Sequence, residues 1–401
     1  MSRNRMPRRD FMKTAVVTGA GIGALSAGPA AHAAETPAAG QQVPRKQLGT
    51  TGAEIPILLM GGSQRFDPTY DKRLHRAFQL GINYIDTAQT YAGGQSQKTI
   101  APFIKQIGDR KKLWITSKVR LYNDAATPAN YTSNLDKCLA DLETDYLDMF
   151  FMHMIRDERM LDPEFIKMGD DIKKSGKARF FGFSCHDGNV AELLSLAAKT
   201  GGIDAIMFRY NFRQYGDVKL NQAIDACKQK GIGLIAMKTQ ASVPEDQEKV
   251  VEFKSKNFTL GQAKLKSVWA DERIDAAVSG LTSVQLVQEN AEAAMSPMQL
   301  SMEEFTQLNR LAALTAGYHC KGCNQICESR INGQLRIADA LRYLMYYESY
   351  GDPEMARLLY NALPPLERDF EGIDLSAAAI ACPQGIDIES RLRAARQYLL
   401  A

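Results

Sequence analysis

The sequence has no large excess of either charge. Its formal net charge is +3, and that excess sits at the front: residues 1–33 carry Arg3, Arg5, Arg8, Arg9 and Lys13 against Asp10, leaving −1 for the remainder. This excludes the basic footprint of a nucleic-acid binder or a membrane-surface patch. Past the first forty residues no run is long and apolar enough to span a bilayer. Gly-x-Gly-x-x-Gly is missing between any strand and its helix, so the Rossmann phosphate loop is not signalled. Gly19-Ala-Gly21-Ile-Gly23 falls in the leader and is no nucleotide loop. Cysteine is scarce and odd in number, seven in all, which argues against a simple disulfide framework. Cys138, Cys185 and Cys227 are scattered and read as buried apolar fillers. With 45% apolar and 24% charged residues among 401, the chain can bury one large core and a small second one without staples.

The first forty residues read as an address. Arg8-Arg9-Asp10-Phe11-Met12-Lys13 resembles the twin-arginine export motif, with Met12 in the usual Leu position and Pro7 where Ser or Thr is common. A mildly apolar run follows from Thr14 to Ala31, and Ala31-His32-Ala33 fits a small-x-small cleavage site. The other reading, a membrane anchor, is disfavoured because the run is short and rich in glycine. The resemblance implies export by the twin-arginine machinery to the periplasm, with a signal at 1–33 and an Ala-, Pro- and Gln-rich linker at 34–44.

From there strand-like runs alternate with amphipathic helical stretches. The strands are expected at Ile57–Gly61, Tyr84–Thr87, Leu113–Ser117, Met149–His153, Phe180–Ser184, Ala205–Phe208, Gly233–Met237 and Ala276–Ser279. Apolar residues recur at helical spacing over Tyr70–Gly81, Asn130–Leu142 and Val218–Gly231, and Gly81, Gly176 and Gly231 stand where helices should stop. Eight such repeats over roughly 250 residues suit an α/β fold of the (β/α)8 TIM-barrel type, at 45–315. A doubly wound sheet shares the alternation and is not excluded by pattern. After Ser301 the strands cease, and 316–401 reads as a small all-α module with a boundary near Thr315–Tyr318.

Four polar residues fall at or just beyond strand ends: Asp86, Tyr91, Lys118 and His153. In a barrel those ends share one rim, where barrel enzymes keep their chemistry. Reducing a carbonyl by hydride requires a proton on its oxygen. Tyrosine can give one, but its reference pKa near 10 is badly matched to neutral pH. A lysine ammonium nearby favours the phenolate, an aspartate holds the lysine in place, and a histidine can orient the carbonyl.

These residues lie in blocks that resemble the aldo/keto reductase signature: Gly81-Ile-Asn-Tyr-Ile-Asp86-Thr-Ala-Gln-Thr-Tyr91, Ile115-Thr-Ser-Lys118 and Asp145-Tyr-Leu-Asp-Met-Phe-Phe-Met-His153. The likeness runs from about Arg45 to Asn290. It implies a catalytic tetrad of Asp86, Tyr91, Lys118 and His153 with Tyr91 as acid–base, a small-molecule carbonyl or alcohol substrate, and NADP or NAD as hydride carrier. The cofactor positions follow the family less closely. Ser184-Cys185 replaces the usual Ser-Asn, Met207 a Gln, Met237 a stacking aromatic, and Thr282 an Arg for the 2′-phosphate. Ser184, Glu289 and Asn290 remain the expected cofactor contacts. Lys238 adds either a phosphate contact or only a solvated strand-end charge.

The last quarter holds Cys320-Lys-Gly-Cys323-Asn-Gln-Ile-Cys327 and, fifty-five residues after Cys327, Cys382-Pro383-Gln-Gly-Ile. The second piece resembles the end of a bacterial ferredoxin motif. In two-cluster ferredoxins, three cysteines of one run and the Cys-Pro of the other bind one cluster. The positions that would serve a second cluster, near Ile331-Asn332 and at Gly372, Leu375 and Ala378, hold no cysteine. The resemblance therefore implies a single [4Fe-4S] cluster on Cys320, Cys323, Cys327 and Cys382, and with it a redox partner protein. Four thiolates also suit a structural zinc, and an oxidising compartment allows two disulfides. Two functions remain open from the sequence. One is an exported reductase working through Tyr91. The other is a cluster-based electron-transfer or substrate-binding protein that uses no nicotinamide.

Overall fold

The computed structural model describes residues 41–240 and 243–400; the twin-arginine leader lies outside them. The chain opens with a hairpin, β1 (Arg45–Gln47) and β2 (Glu54–Pro56), which the sequence reading passed over because its strands are three residues long. Eight parallel strands then close a barrel: β3 (Leu58–Gly61), β4 (Tyr84–Asp86), β5 (Trp114–Val119), β6 (Leu147–Met152), β7 (Ala178–Cys185), β8 (Ala205–Arg209), β9 (Gly233–Met237) and β10 (Ala276–Ser279). They pair in sequence order and β10 returns to β3. The open alternative, a doubly wound sheet, is thereby ruled out.

The strands are short, apolar and buried on both faces, as strands sheathed by helices must be. Leu59, Tyr84, Trp114, Met149, Phe151, Met207 and Ile235 fill the barrel's interior, and Leu48 and Ile55 from the hairpin join them. Backbone bonds from Thr50 to Gly231 and from Gly49 to the Asp275 carboxylate seal the hairpin over the N-terminal end. Only the C-terminal ends of the strands are left as a mouth.

The outer helices include α1 (Lys72–Gln79), α2 (Ser96–Ile107), α3 (Pro128–Leu142), α4 (Pro163–Lys174), α5 (Val190–Thr200), α6 (Val218–Gln229), α7 (Leu260–Trp269) and α8 (Val284–Met295). Local chemistry sets their ends. Asp71 accepts from the amides of Arg73 and Leu74 at the start of α1, and Thr127 does the same for Asn130 before Pro128 in α3. The expected stops at Gly81, Gly176 and Gly231 all have positive φ, where a side chain would be strained.

After α9 (Met302–Leu314) the described residues hold helices and turns only: α10 (Asn324–Cys327), α11 (Ile337–Tyr350), α12 (Pro353–Asn361), α13 (Ser376–Ala381) and α14 (Ile388–Leu399) are the main helices. They have a core of their own, built on Leu341, Leu344, Tyr360, Leu392 and Leu399, separate from the barrel's. One face of α11 enters that core. Its other face, with Arg342 and Tyr346, lies on the barrel mouth.

Candidate active site

Asp86 is the last residue of β4 and Lys118 the fifth of β5, so the parallel register brings both to one rim. Lys118 Nζ lies 2.6 Å from Asp86 Oδ1, donates to the Thr87 carbonyl at 2.8 Å, and reaches Tyr91 Oη at 3.4 Å. Tyr91 is carried on the turn after β4, whose Gln89 amide donates to the Lys118 carbonyl. The His153 ring, just past β6, meets the Tyr91 ring edge-on at 5.5 Å between centroids. All four tetrad candidates are therefore together.

The turn carries strain. Ala92 beside Tyr91, Met154 beside His153, and Lys238 after β9 all have left-handed backbone, with φ of 50°, 58° and 59°. Such conformations cost about 1–3 kcal/mol each and persist only where the surroundings over-determine them. Ser184 supplies part of that support, its Oγ accepting from the Met154 amide at 2.9 Å.

Electrostatics assign the protonation states. Burial pushes the Tyr91 hydroxyl well above its ordinary pKa, with further upward pressure from Asp86 and Tyr346. The expected lowering of Tyr91 by lysine is not met here, because burial dominates and the Asp86 carboxylate beside Lys118 adds to it. Burial lowers the Lys118 pKa against the opposing pull of Asp86, and raises that of Asp86 against the pull of Lys118. Burial, then Lys118, Arg120, His186 and Lys238, hold His153 well below its usual value. The site thus presents a neutral phenol and a neutral imidazole, the second with a buried Nδ1 that has no protein partner.

The cofactor candidates divide into two groups. Ser184 is buried beside the tetrad, and Lys238 is close enough to act on His153. Asn290 and Glu289 sit across the mouth on α8. Asn290 Nδ2 donates to Ser279 Oγ at 3.0 Å, and Gln240 joins both. The Glu289 carboxylate accepts from Gln285. The α8 N-terminus, capped by Ser283, opens toward the same end. Met207, buried, pairs with Ser184 across β7 and β8.

The cysteine run meets the barrel directly. The Gly188 amide, after β7, donates to the Gly322 carbonyl at 2.7 Å, and a Cβ on Gly188 would stand 2.4 Å from Cys323 Cα. Cys320, Cys323, Cys327 and Cys382 are free thiols within one another's electrostatic reach, and α10 packs on α13. Burial first, then mutual repulsion, pushes Cys320 up to about 11 and Cys327 up to about 12. The Gly322 amide donates to Cys320 Sγ at 3.4 Å. Among the described residues no three His, Cys, Asp or Glu side chains stand close enough to chelate one ion.

Sequence reasoning missed a set of ions that pins α11 to the rim. Arg156 and Arg342 bridge Asp187 on the barrel side and Asp339 on α11, with Arg156 Nη1 2.9 Å from Asp339 Oδ2. His186 Nδ1 lies 3.2 Å from Arg342. Arg120, His186 and Arg209 follow strand ends and were detectable by that criterion alone. Their partners on α11 were not.

Residues 59–243 match the aldo/keto reductase family model. L-galactose dehydrogenase of Arabidopsis thaliana is 25% identical over 293 residues, covering 65% of this chain and 91% of that protein. An aldo-keto reductase of Bacillus halodurans in its holo form superposes with a TM-score of 0.56 at 22% identity, over 67% of this chain and 96% of that one. One from Klebsiella pneumoniae in complex with NADPH gives 0.53 at 22% identity, over 68% and 96%. The last two establish the fold. With the tetrad assembled and the family model matched across β3 to β9, the barrel belongs to the aldo/keto reductase family, whose members are nicotinamide-dependent oxidoreductases.

Proposed function

We propose that this oxidoreductase is exported and interconverts a carbonyl and an alcohol at the tetrad, with one [4Fe-4S] cluster carried on the four C-terminal cysteines. The observation that carries the reaction is Tyr91 Oη at 3.4 Å from Lys118 Nζ, with Lys118 clamped on Asp86 at 2.6 Å. A reduced nicotinamide, when bound, supplies the hydride to the carbonyl carbon. Tyr91 Oη gives its proton to the carbonyl oxygen, and the phenolate left behind is stabilised by the Lys118 ammonium. Neutral His153 offers a ring N–H to the same oxygen and orients it. Ser184, Glu289 and Asn290 are the residues that would hold the dinucleotide, with the α8 N-terminus suited to phosphate; Lys238 stands apart from them, among His186, Arg209 and Arg342.

The cluster reading rests on the spacing of Cys320, Cys323, Cys327 and Cys382 and on their electrostatic reach of one another; the sulfurs would have to draw closer around the group when it is bound. Burial and mutual repulsion raise the Cys320, Cys323 and Cys327 thiols, so positive charge among them is needed before they ionise. The Gly322 amide is already directed at one sulfur. Export rests on the Arg8-Arg9 leader, which also implies the twin-arginine machinery and a periplasmic location.

A second reading keeps the barrel but makes the cluster its redox centre, fed by a partner protein. The seating of the Gly322–Cys323 turn on Gly188, four residues past Ser184, favours it. Fluorescence titration of NADPH and NADH into the chain purified without oxygen separates the two. Binding of either supports hydride chemistry at the tetrad; no binding of either supports the cluster reading. Once a substrate is found, Tyr91→Phe should lower turnover by roughly 10²- to 10⁴-fold, and full turnover by that variant would overturn the assignment.

A further inference from the structure

Between the tetrad and the cysteine turn lies a small cavity lined by His186, Arg209, Lys238, Cys320 and Arg342, with Met345 from α11 closing it. Three of its lining side chains are arginine or lysine, and none is acidic. Buried cations are normally paired, and two here are paired only in part. Arg342 spends its terminal nitrogens on Asp187 and Asp339, yet its buried Nε has no acceptor. Arg209 donates from one terminal nitrogen to the Lys321 carbonyl, and its buried Nε also has none.

Lys238 departs furthest from pairing. Its Nζ stands over the rings of Tyr346, at 4.0 Å, and Tyr350, at 4.8 Å, both on α11. Among the described residues no carboxylate forms an ion pair with it, and Asp352 acts on it only from beyond contact. Its backbone is held in the left-handed region, and its carbonyl is fixed by Asn211 Nδ2 at 2.8 Å. The fold therefore keeps a strained residue in order to aim an ammonium into a space that already holds two guanidinium groups. That arrangement is unfavourable on its own, and an anion would relieve it.

We propose that this cavity is an anion subsite, and that the substrate of the tetrad carries a carboxylate which Lys238 and the free Nε–H groups of Arg209 and Arg342 receive. The proposal rests on the tetrad reading for the rest of the substrate and deepens it by naming a class: oxo or hydroxy acids. The space amounts to about 20 Å³, that of roughly one to two waters, and so of a carboxylate's two oxygens. The remainder of the molecule points toward His153 and Tyr91. Burial, then Arg342 and Arg209, drive Lys238 toward the neutral amine in the empty site; an arriving carboxylate reverses that preference and holds the proton on Nζ. Tyr346 and Tyr350 shield the pair from water, which strengthens it.

The test is a binding measurement, so it does not depend on turnover or on nucleotide. 2-Oxobutyrate and its neutral amide are titrated calorimetrically into the full chain, purified without oxygen with its cysteine-bound group in place. The acid is expected to bind roughly ten- to hundredfold more tightly than the amide. Lys238→Met should abolish that preference and Lys238→Arg should restore part of it, with unchanged circular dichroism in both. Equal binding of acid and amide, absence of binding by either, or a preference that survives Lys238→Met overturns the proposal. In the unsubstituted chain, no acid preference with nucleotide-dependent turnover present would sink the subsite and spare the tetrad; an acid preference without such turnover would spare the subsite and sink the tetrad.

Discussion

The two sides of the barrel mouth are built on different rules. On the side of β4, β5 and β6 the polar groups answer one another within the barrel: Asp86 holds Lys118, Lys118 reaches Tyr91, and Tyr91 meets His153. On the side of β7, β8 and β9 the polar groups look outward and are answered by the C-terminal helices. Asp187 is met by Arg342, Gly188 by Gly322, and Lys238 by the faces of Tyr346 and Tyr350, and Arg156, in the loop after β6, joins them through Asp339. One side is a reaction centre kept by contacts between neighbouring strands of the barrel itself. The other is an interface that happens to lie on the same rim. The chemistry of the mouth depends on both, because α11 lines the cavity that holds His186 and Lys238, two groups that act on His153.

The largest way to break that arrangement, after removal of the Tyr91 hydroxyl, is to remove one member of the ion set. Asp339→Ala leaves Arg156 and Arg342 facing each other across Asp187 alone. Removing one partner of a buried pair costs about 3–5 kcal/mol, and here the loss falls on the docking of α11. Hydrogen exchange should accelerate across Ile337–Tyr350 while the barrel strands keep their protection. Unchanged exchange in α11 would mean that its own core, not the ion set, holds it in place.

The same contrast explains what was legible in advance. All eight barrel strands lay within a few residues of their expected positions, because each is a short apolar run closed by a turn or a helix cap. Asp86, Tyr91, Lys118 and His153 were legible because a barrel sends every strand's C-terminal end to one rim. The hairpin β1–β2 was not, since three-residue strands carry too little alternation to register. The docking of α11 was not either. Arg342 and Asp187 are 155 residues apart, and nothing local in Leu341-Arg342-Tyr343 distinguishes a buried arginine from a solvated one. The downward shift expected at Tyr91 was not met for a related reason: a spacing shows that a lysine is near, but not how deeply the phenol is buried or that the lysine also serves Asp86.

Acid should sharpen the comparison with a smaller effect. Burial raises the Asp187 and Asp339 carboxyls, but Arg342 and Arg156 outweigh it and hold both below the ordinary value. Their contribution to docking is therefore full above a pH of about 4 and is lost as pH falls through their folded values. Burial and Arg342 bring His186 down to about 3. The undocked state takes up that proton first, near pH 6.5, so docking also weakens from there downward. Both contributions have the same sign. Asp86 has the opposite shift, raised by burial, while His153 is held low as His186 is, so acid costs the tetrad through His153 alone, and that cost falls on unfolding of the barrel rather than on docking of α11. Exchange measured at pH 7, 5.5 and 4 should show α11 loosening progressively while β4 and β5 hold. Equal loosening in both would remove the distinction between the two sides.

The smallest effect lies on the α8 edge of the mouth, where the barrel again answers itself. Asn290 Nδ2 is bonded to Ser279 Oγ, and Asn290 Oδ1 accepts from Gln240 at 3.3 Å. Asn290→Ala deletes both bonds but leaves two groups, Ser279 and Gln240, that already bond each other. The expected loss of stability is therefore about 1 kcal/mol, read as a small drop in unfolding temperature. If this edge also holds the dinucleotide, affinity for NADPH or NADH should fall in the same variant, whereas any visible absorption from the proposed cluster and the exchange of α11 should not move. A fall in affinity without any change at the cysteines would place the nucleotide on the self-contained part of the rim. A change at the cysteines from so distant a substitution would show that the two sides act as one unit, and the division drawn between them would have to be given up.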